Sequence, residues 1–152
     1  MSQSSATTRI PGGNLSGVLT ITPLFGRLLL SAIFILSGLS KVAAPAATIG
    51  YIESVGLPFA PLGFAIAVLV EIVGGAALVL GYRARLAAAI LAAYTVVTAV
   101  AFHSDLADLN QLIHFFKNVA MTGGLLQVVA FGAGSFSLDA ARGRQARDLL
   151  QI

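Results

Sequence analysis

The sequence predicts an all-α, polytopic membrane protein: an antiparallel four-transmembrane-helix bundle, with a short interfacial helix between the first and second spans. Two properties of the chain support this prediction. Hydrophobic residues make up 57% of the 152 positions and charged residues only 10%, whereas a soluble domain has roughly 25% charged residues with which to cover its surface. Four apolar runs joined by short polar segments are each long enough to cross a bilayer.

The chain begins with a Ser-, Thr- and Gly-rich segment, residues 1–22, which we assign to a flexible tail; residues 23–134 form the predicted membrane domain. Pro23 begins the first span at about 23–40, because a proline in the first helical turn lacks only an N–H that has no helical partner. The apolar run followed by Ala44-Pro45-Ala46 is also typical of a signal peptide. We favour an uncleaved span, because one helical face suits contact with other helices: Arg27, Ser31, Phe34, Gly38 and Lys41.

The next segment, residues 45–55, is too short to cross a bilayer and is followed by Gly56-Leu57-Pro58, so we expect an interfacial helix. The second span lies between Pro61 and Gly81, and its core reads LGFAIAVLVEIVGGAALVL. A helix of this length spans about 28 Å, which matches the hydrocarbon core and places Glu71 near mid-membrane. An ionised side chain is costly at that depth, so Glu71 is expected to face protein and to have partners there.

The third and fourth spans follow two polar segments. Arg83 and Arg85 lie in a tight basic turn before the third span, at about 86–102. The most polar loop, residues 103–117, leads into the fourth span at about 113–131. Because the connections are short, consecutive spans are expected to run antiparallel in one bundle.

The distribution of charge predicts the orientation in a bacterial inner membrane. Loops on the cytoplasmic side are enriched in Lys and Arg. If both termini are cytoplasmic, the opposite side holds only Lys41 and Lys117. The cytoplasmic side then holds the other seven basic residues: Arg9, Arg27, Arg83, Arg85, Arg142, Arg144 and Arg147. Residues 135–152 are accordingly predicted to form a basic cytoplasmic tail suited to anionic lipid.

This topology brings titratable residues together at one end of the bundle. Lys41 ends the first span, His103 ends the third, and Lys117 lies about one turn into the fourth. We predict a polar cavity there, with Glu71 at its floor. Uncharged hydrogen-bonding partners are expected from Tyr94, Thr98 and Asn118. Two interpretations stay open: a structural ion pair of Glu71 with a basic residue, or a proton-coupled site for a quinone or another small molecule.

Other residues are interpreted as structural. Gly74-Gly75 and Gly123-Gly124 indicate close helix approach, since small residues let membrane helices pack closely. His103 and His114 lack partners at ligand-like spacing, so no metal or haem site is predicted. Asp105 and Asp108 indicate a solvated loop face, in which Ser104 or Asp105 caps the following helix. Tyr51 suits an interfacial aromatic belt.

Composition excludes several classes of chemistry. The chain has no cysteine, which excludes disulfides, thiol redox chemistry, iron–sulfur clusters and covalently attached c-type haem. It has no Gly-rich phosphate loop after a strand, no Ser-His-Asp set and no zinc signature. The net charge of +3 is explained by positive loops on one membrane face, so no nucleic-acid partner is expected. Redox roles are thereby limited to a bound quinone, a flavin, or haem held only by His or Met, and of these a quinone is the cofactor that we keep open.

A series of short motifs runs through the chain in a defined order. The first span reads GRLLLSAIFILSGLSKV, with Arg27, Gly38 and Lys41. The short Pro-bounded helix, Glu71-x-x-Gly74-Gly75 and the Gly81-x-Arg83 turn follow. The later motifs are His103, HFFKNVAMTGGLL and GAGSFSLD. In this order and spacing, from about 25 to 139, the motifs resemble the DoxX family of small bacterial four-span membrane proteins.

The resemblance implies a fold and a location more than a reaction. One member gives the family its name as a subunit of an archaeal thiosulfate:quinone oxidoreductase, and another looks like part of a mycobacterial oxidoreductase complex. The wider group includes factors that mature other enzymes. We therefore expect a quinone-linked membrane subunit of an oxidoreductase complex; the alternatives are a non-catalytic scaffold or maturation factor and a small-solute transporter. Partner subunits are implied for any thiol chemistry, and a homo-oligomer is left open.

Overall fold

The computed structural model describes residues 15–150, which form six α-helices and contain no strand. Four of these helices are long and apolar enough to cross a membrane. The helices are α1 (Leu15–Ala43), α2 (Pro45–Ser54), α3 (Ala60–Leu80), α4 (Ala84–Phe102), α5 (Leu109–Phe131) and α6 (Leu138–Leu149). The predicted all-α membrane fold with a short helix after the first span is confirmed.

The four long helices pack in a closed ring. α1 packs against α3, α3 against α4, α4 against α5, and a less extensive contact of α5 with α1 completes the ring. α2 lies mainly on α3, and Ile52 is its buried anchor. Short connections alternate the helix directions, so one end of the bundle carries Lys41 and His103 (the Lys41 end). The other carries Arg27 and α6 (the Arg27 end).

Two helix boundaries differ from the predictions. α1 begins at Leu15, and Pro23 lies inside it rather than at its start; the surrounding apolar sequence continues the helix, and membrane helices tolerate proline. The rest of the predicted N-terminal tail, residues 1–14, lies outside the described residues. α5 begins at Leu109, because the Asp108 carboxylate accepts from Gln111 N at 2.8 Å and caps the helix. The prediction of Ser104 or Asp105 as the cap is wrong.

The contact face predicted for α1 is confirmed. Arg27, Ser31, Phe34 and Gly38 are buried, and Lys41 is partly buried at the end of the helix. This face therefore places Arg27, near the middle of α1, and Lys41, in its last turn, against the neighbouring helices.

At the Arg27 end, the Arg27 guanidinium is 1% exposed. Nη1 donates to the Leu78 carbonyl at 2.8 Å, and Nη2 donates to the Phe136 carbonyl at 2.6 Å. A Cβ at Gly81 would collide with this guanidinium and with Ser137, and Gly81 also has a φ of +62°. Arg27 thus connects α1 to the end of α3 and to the segment before α6.

The first turn of α6 is fastened to the α3–α4 turn. The Asp139 carboxylate accepts from the N–H groups of Arg83 and Ala84 at 2.8 and 2.9 Å, which satisfies donors at the start of α4. Beyond this turn α6 is exposed. Arg142 lies 4.5 Å from the Tyr82 ring centroid, and its hydrogen bonding and positive charge lower the pKa of the Tyr82 phenol.

Three of the four predicted glycines lie at close helix contacts. A Cβ at Gly75 would be 2.7 Å from Ile35 Cγ1, one at Gly74 would be 3.0 Å from Leu91, and one at Gly124 would be 3.2 Å from Leu30. A Cβ at Gly123 would meet no packing neighbour among the described residues within 4 Å. The prediction of a close approach within the chain at Gly123 is therefore wrong.

These contacts predict opposite effects of two alanine substitutions. We expect Gly75→Ala to lower stability by about 1–3 kcal/mol, since Ile35 has to move within a packed contact. Gly123→Ala is the matched control; it is expected to be neutral or to stabilise by up to about 1 kcal/mol through helix propensity. Thermal unfolding of both variants in one detergent measures the difference. Equal stability of the two would contradict the α1–α3 contact.

Candidate ligand-binding cavity

Glu71 lies in the middle of α3, and its side chain is 5% exposed. Its Oε1 accepts from Lys41 Nζ at 2.9 Å, from the Tyr94 hydroxyl at 2.8 Å and from the Ser37 hydroxyl at 3.3 Å. Its Oε2 accepts from Lys41 Nζ at 2.9 Å. Three helices, α1, α3 and α4, therefore contribute to one polar cluster at mid-membrane, defined here as the Glu71 cluster.

Helical spacing explains how α1 supplies two of these donors. Ser37 and Lys41 are four residues apart, so they lie on the same face of α1, about one helical turn from each other. Lys41 Nζ also donates to the Ser37 hydroxyl at 2.7 Å. Lys41 lies near the end of α1, and its long flexible side chain extends from there to bring the ammonium to Glu71. The Lys41 side chain is 22% exposed.

A cavity of about 750 Å³ extends from the Glu71 cluster to the Lys41 end. All six residues predicted as site candidates line it: Lys41, Glu71, Tyr94, His103, Lys117 and Asn118. The predicted hydrogen-bonding residue Thr98 lines it as well. Most of its wall is apolar, and the volume lies within the range of roughly 300–1,000 Å³ that is usual for small-molecule sites.

Two pairs of stacked rings line the cavity at the Lys41 end. Tyr51 of α2 stacks on Phe102 of α4 with ring centroids 5.3 Å apart, and both line the cavity. His103 stacks on His114 at 4.9 Å, and His103 Nδ1 lies 2.8 Å from Gln111 Oε1. Within residues 15–150, no group of three metal-ligating side chains is present.

Some polar groups of the cavity wall have no hydrogen-bond partner within the described part of the chain. The His114 imidazole, the Lys117 ammonium and the Asn118 amide form no hydrogen bond there. An amide carries both donors and an acceptor, whereas an ammonium carries donors only. These groups on α5 can therefore form hydrogen bonds with a bound molecule at positions separate from the Glu71 cluster.

Sequence reasoning missed three contributors to the cavity. Ser37 links Lys41 to Glu71, and its position one turn before Lys41 was the available signal. The sequence predicts an interfacial position for Tyr51 and offers no signal for Phe102, because their stacking depends on how α2 folds back. Arg27 and Arg83, predicted as structural residues, lie at the opposite end of the bundle and not at the cavity.

The fold and the cavity define a class: a multi-pass helical membrane protein with a buried ion pair at the floor of an apolar-walled cavity. The DoxX family model matches residues 22–104. The chain is 35% identical over 118 residues to the inner membrane protein YqjF of Escherichia coli K12, which covers 76% of this chain and 88% of that protein.

A second relative is similar over nearly the same share. The chain is 34% identical over 122 residues to the inner membrane protein YphA of E. coli K12, covering 76% of this chain and 86% of that protein. No solved structure gives a significant match. The chain belongs to the DoxX family, and it is a multi-pass inner-membrane protein.

The Glu71 cluster predicts a pattern of stability. Glu71→Leu leaves the Lys41 ammonium without its carboxylate, and breaking a buried pair costs roughly 3–5 kcal/mol. We expect a loss at or below the lower end of that range, because Lys41 is 22% exposed. Thermal unfolding in lipid nanodiscs measures it.

The double variant Lys41→Met/Glu71→Leu serves as the control. It removes both charges, so most of the lost stability should return. If the double variant is as unstable as Glu71→Leu, the ion pair is not the reason for the loss.

Proposed function

We propose that this protein is the membrane subunit of a quinone-linked oxidoreductase complex and that it binds the quinone ring in the cavity above Glu71. The observation that carries the proposal is the combination, in one apolar-walled cavity, of a charged cluster at mid-membrane and of polar groups that have no partner within the described chain. A bound quinone supplies two-electron chemistry that takes up or releases two protons.

Access from the lipid supports a lipid-soluble ligand. Three apolar residues line the cavity and are also exposed on the surface of the spans: Ile33 (44%), Ile66 (49%) and Val97 (64%). A residue that is both lining and exposed lies at the rim. Because these rim positions belong to membrane-spanning helices, the cavity is continuous with the lipid-facing surface. A hydrophobic molecule can enter there without crossing water.

Hydrogen-bonding capacity supports a ligand with oxygen at its polar end. Within residues 15–150, Glu71 Oε2 accepts only from Lys41, so it keeps capacity to accept from a ligand hydroxyl. The Asn118 amide can donate to a ligand carbonyl. Tyr51 and Phe102 offer aromatic faces against which a planar ring can pack. These groups match both the oxidised and the reduced form of a quinone.

In this proposal the electrons come from another subunit. The chain has no cysteine, and thiolates are the ligands of iron–sulfur clusters. We infer a partner that carries a redox group and approaches the Lys41 end, where His103, His114 and Lys117 surround the cavity opening. A homo-oligomer is compatible with this arrangement, since much of the lipid-facing surface is free within the described residues.

A non-catalytic scaffold or maturation factor is the second candidate. One observation favours it: Lys41, Tyr94 and Ser37 donate four hydrogen bonds to Glu71, and such a set of donors is sufficient for a purely structural lock. A small-solute transporter is the third candidate. Four spans enclose little volume, so transport would need an oligomer.

The test is a measurement of co-purified quinone. The protein is extracted in native-lipid particles, and quinone per chain is quantified for the wild type and for Glu71→Gln. We expect near-stoichiometric quinone in the wild type and about a tenfold loss in Glu71→Gln, because hydrogen bonds to a charged group contribute roughly 1.5–3 kcal/mol.

Glu53→Gln is the matched control, since Glu53 is exposed on α2 and does not line the cavity. It should retain wild-type quinone. Equal quinone in Glu71→Gln and Glu53→Gln would falsify the assigned site. A scaffold predicts instead that deleting the protein lowers the abundance of a partner, while Glu71→Gln has no effect on that abundance.

A further inference from the structure

We propose that the cavity is blind: it exchanges ligand and protons only at the Lys41 end and with the adjacent lipid. In this proposal the other half of the bundle is a dry apolar seal. The inference rests on the proposed function in taking this cavity as the binding site. The new element is the side of the membrane from which ligand and protons reach that site.

The seal consists of large apolar side chains from three helices. Leu78 of α3, Leu91 of α4 and Leu125 of α5 are each 0% exposed and belong to one core cluster. Phe34 of α1 belongs to the same cluster and also lines the cavity. Phe34 therefore marks the boundary between the cavity and the core, and interiors packed in this way leave little room for water.

The buried hydroxyls near the seal are already engaged with the backbone. Ser31 Oγ donates to the Arg27 carbonyl at 2.6 Å, and Thr95 Oγ1 donates to the Leu91 carbonyl at 2.7 Å. Each hydroxyl has one proton to donate. In the part of the chain that the structure describes, no hydrogen-bonded path therefore joins Glu71 to the Arg27 end.

The Lys41 end is open by comparison. Exposure of the ion-paired side chains rises from 5% at Glu71 to 22% at Lys41. Four basic side chains line the cavity above Glu71: Lys41, His103, His114 and Lys117. Protons that reach Glu71 therefore come from the aqueous phase at this end. A single copy of the chain then provides a sided binding site and no through-path for a solute.

The absence of cysteine in the natural sequence permits a direct test. Single-cysteine variants are labelled with a charged, membrane-impermeant maleimide, in sealed vesicles of each orientation. Thr98→Cys and Asn118→Cys report on the cavity. Ser104→Cys and Gln145→Cys, at exposed positions, identify the Lys41 end and the Arg27 end.

Two further variants probe the seal and the lipid face. Ser31→Cys lies at a position that is 0% exposed, near the seal. Val96→Cys is the matched control for Thr98→Cys, because Val96 is two residues away on α4, is 49% exposed and does not line the cavity. An apolar environment raises a thiol pKa, and each unit of increase lowers the reactive thiolate about tenfold.

We expect both cavity cysteines to be labelled only in the vesicle orientation that labels Ser104→Cys. They should react at least about tenfold faster than Val96→Cys and Ser31→Cys, corresponding to one or more pKa units. Labelling of the cavity from both faces, labelling only in the Gln145→Cys orientation, or labelling from neither face would each overturn the proposal.

Labelling of Ser31→Cys from the Arg27 end would overturn it as well. Folding of each variant is checked by its elution as a single species in size-exclusion chromatography. If either Thr98→Cys or Asn118→Cys fails this check, the other still reports on the cavity. The test needs no ligand. Absence of quinone from the purified protein would therefore contradict the proposed function and leave the labelling result to decide the sidedness.

Discussion

The structure depends on the need to neutralise one carboxylate in the middle of a membrane. Glu71 is 4% exposed, and burial without partners would cost far more than a domain's net stability allows. The partners come from α1 and α4: Lys41, Tyr94 and Ser37 donate hydrogen bonds to the carboxylate. The requirement that these donors reach one carboxylate fixes the relative register of α1, α3 and α4, and it leaves polar atoms at the floor of a space that apolar packing alone would have filled.

A second polar cluster fixes the opposite end of the bundle. Arg27 donates to main-chain carbonyls of α3 and of the segment before α6, and Asp139 accepts from the first N–H groups of α4. These contacts use up hydrogen-bonding groups that helix termini leave without partners. The two ends therefore differ in character: the Arg27 end is closed by side chain-to-backbone bonds, whereas the Lys41 end retains polar side chains around an opening. This asymmetry underlies the sided site that we infer.

The accuracy of the predictions followed the physical strength of each signal. Hydropathy places four spans well, because membrane burial requires long apolar runs. The periodicity of α1 correctly places Arg27 and Lys41 on a contact face, since α-helical geometry fixes it. Local signals were weaker: Pro23 lies within a helix, and Asp108, not an earlier residue, caps α5. Glycine pairs indicate close packing, yet nothing in the sequence distinguishes Gly124, where a Cβ would press against Leu30, from Gly123, where a Cβ would meet no packing neighbour among the described residues within 4 Å.

Hydropathy and helical period are local properties, so the amino-acid sequence is enough to predict the fold class, the membrane location and the convergence of titratable residues at one end. The three-dimensional packing is needed to show which residue pairs with Glu71, that Ser37 belongs to the cluster, and that Tyr51 meets Phe102. It also decided where the cavity ends and the apolar core begins. These features depend on contacts between helices that lie far apart in the chain, and the distances between such helices are set by packing.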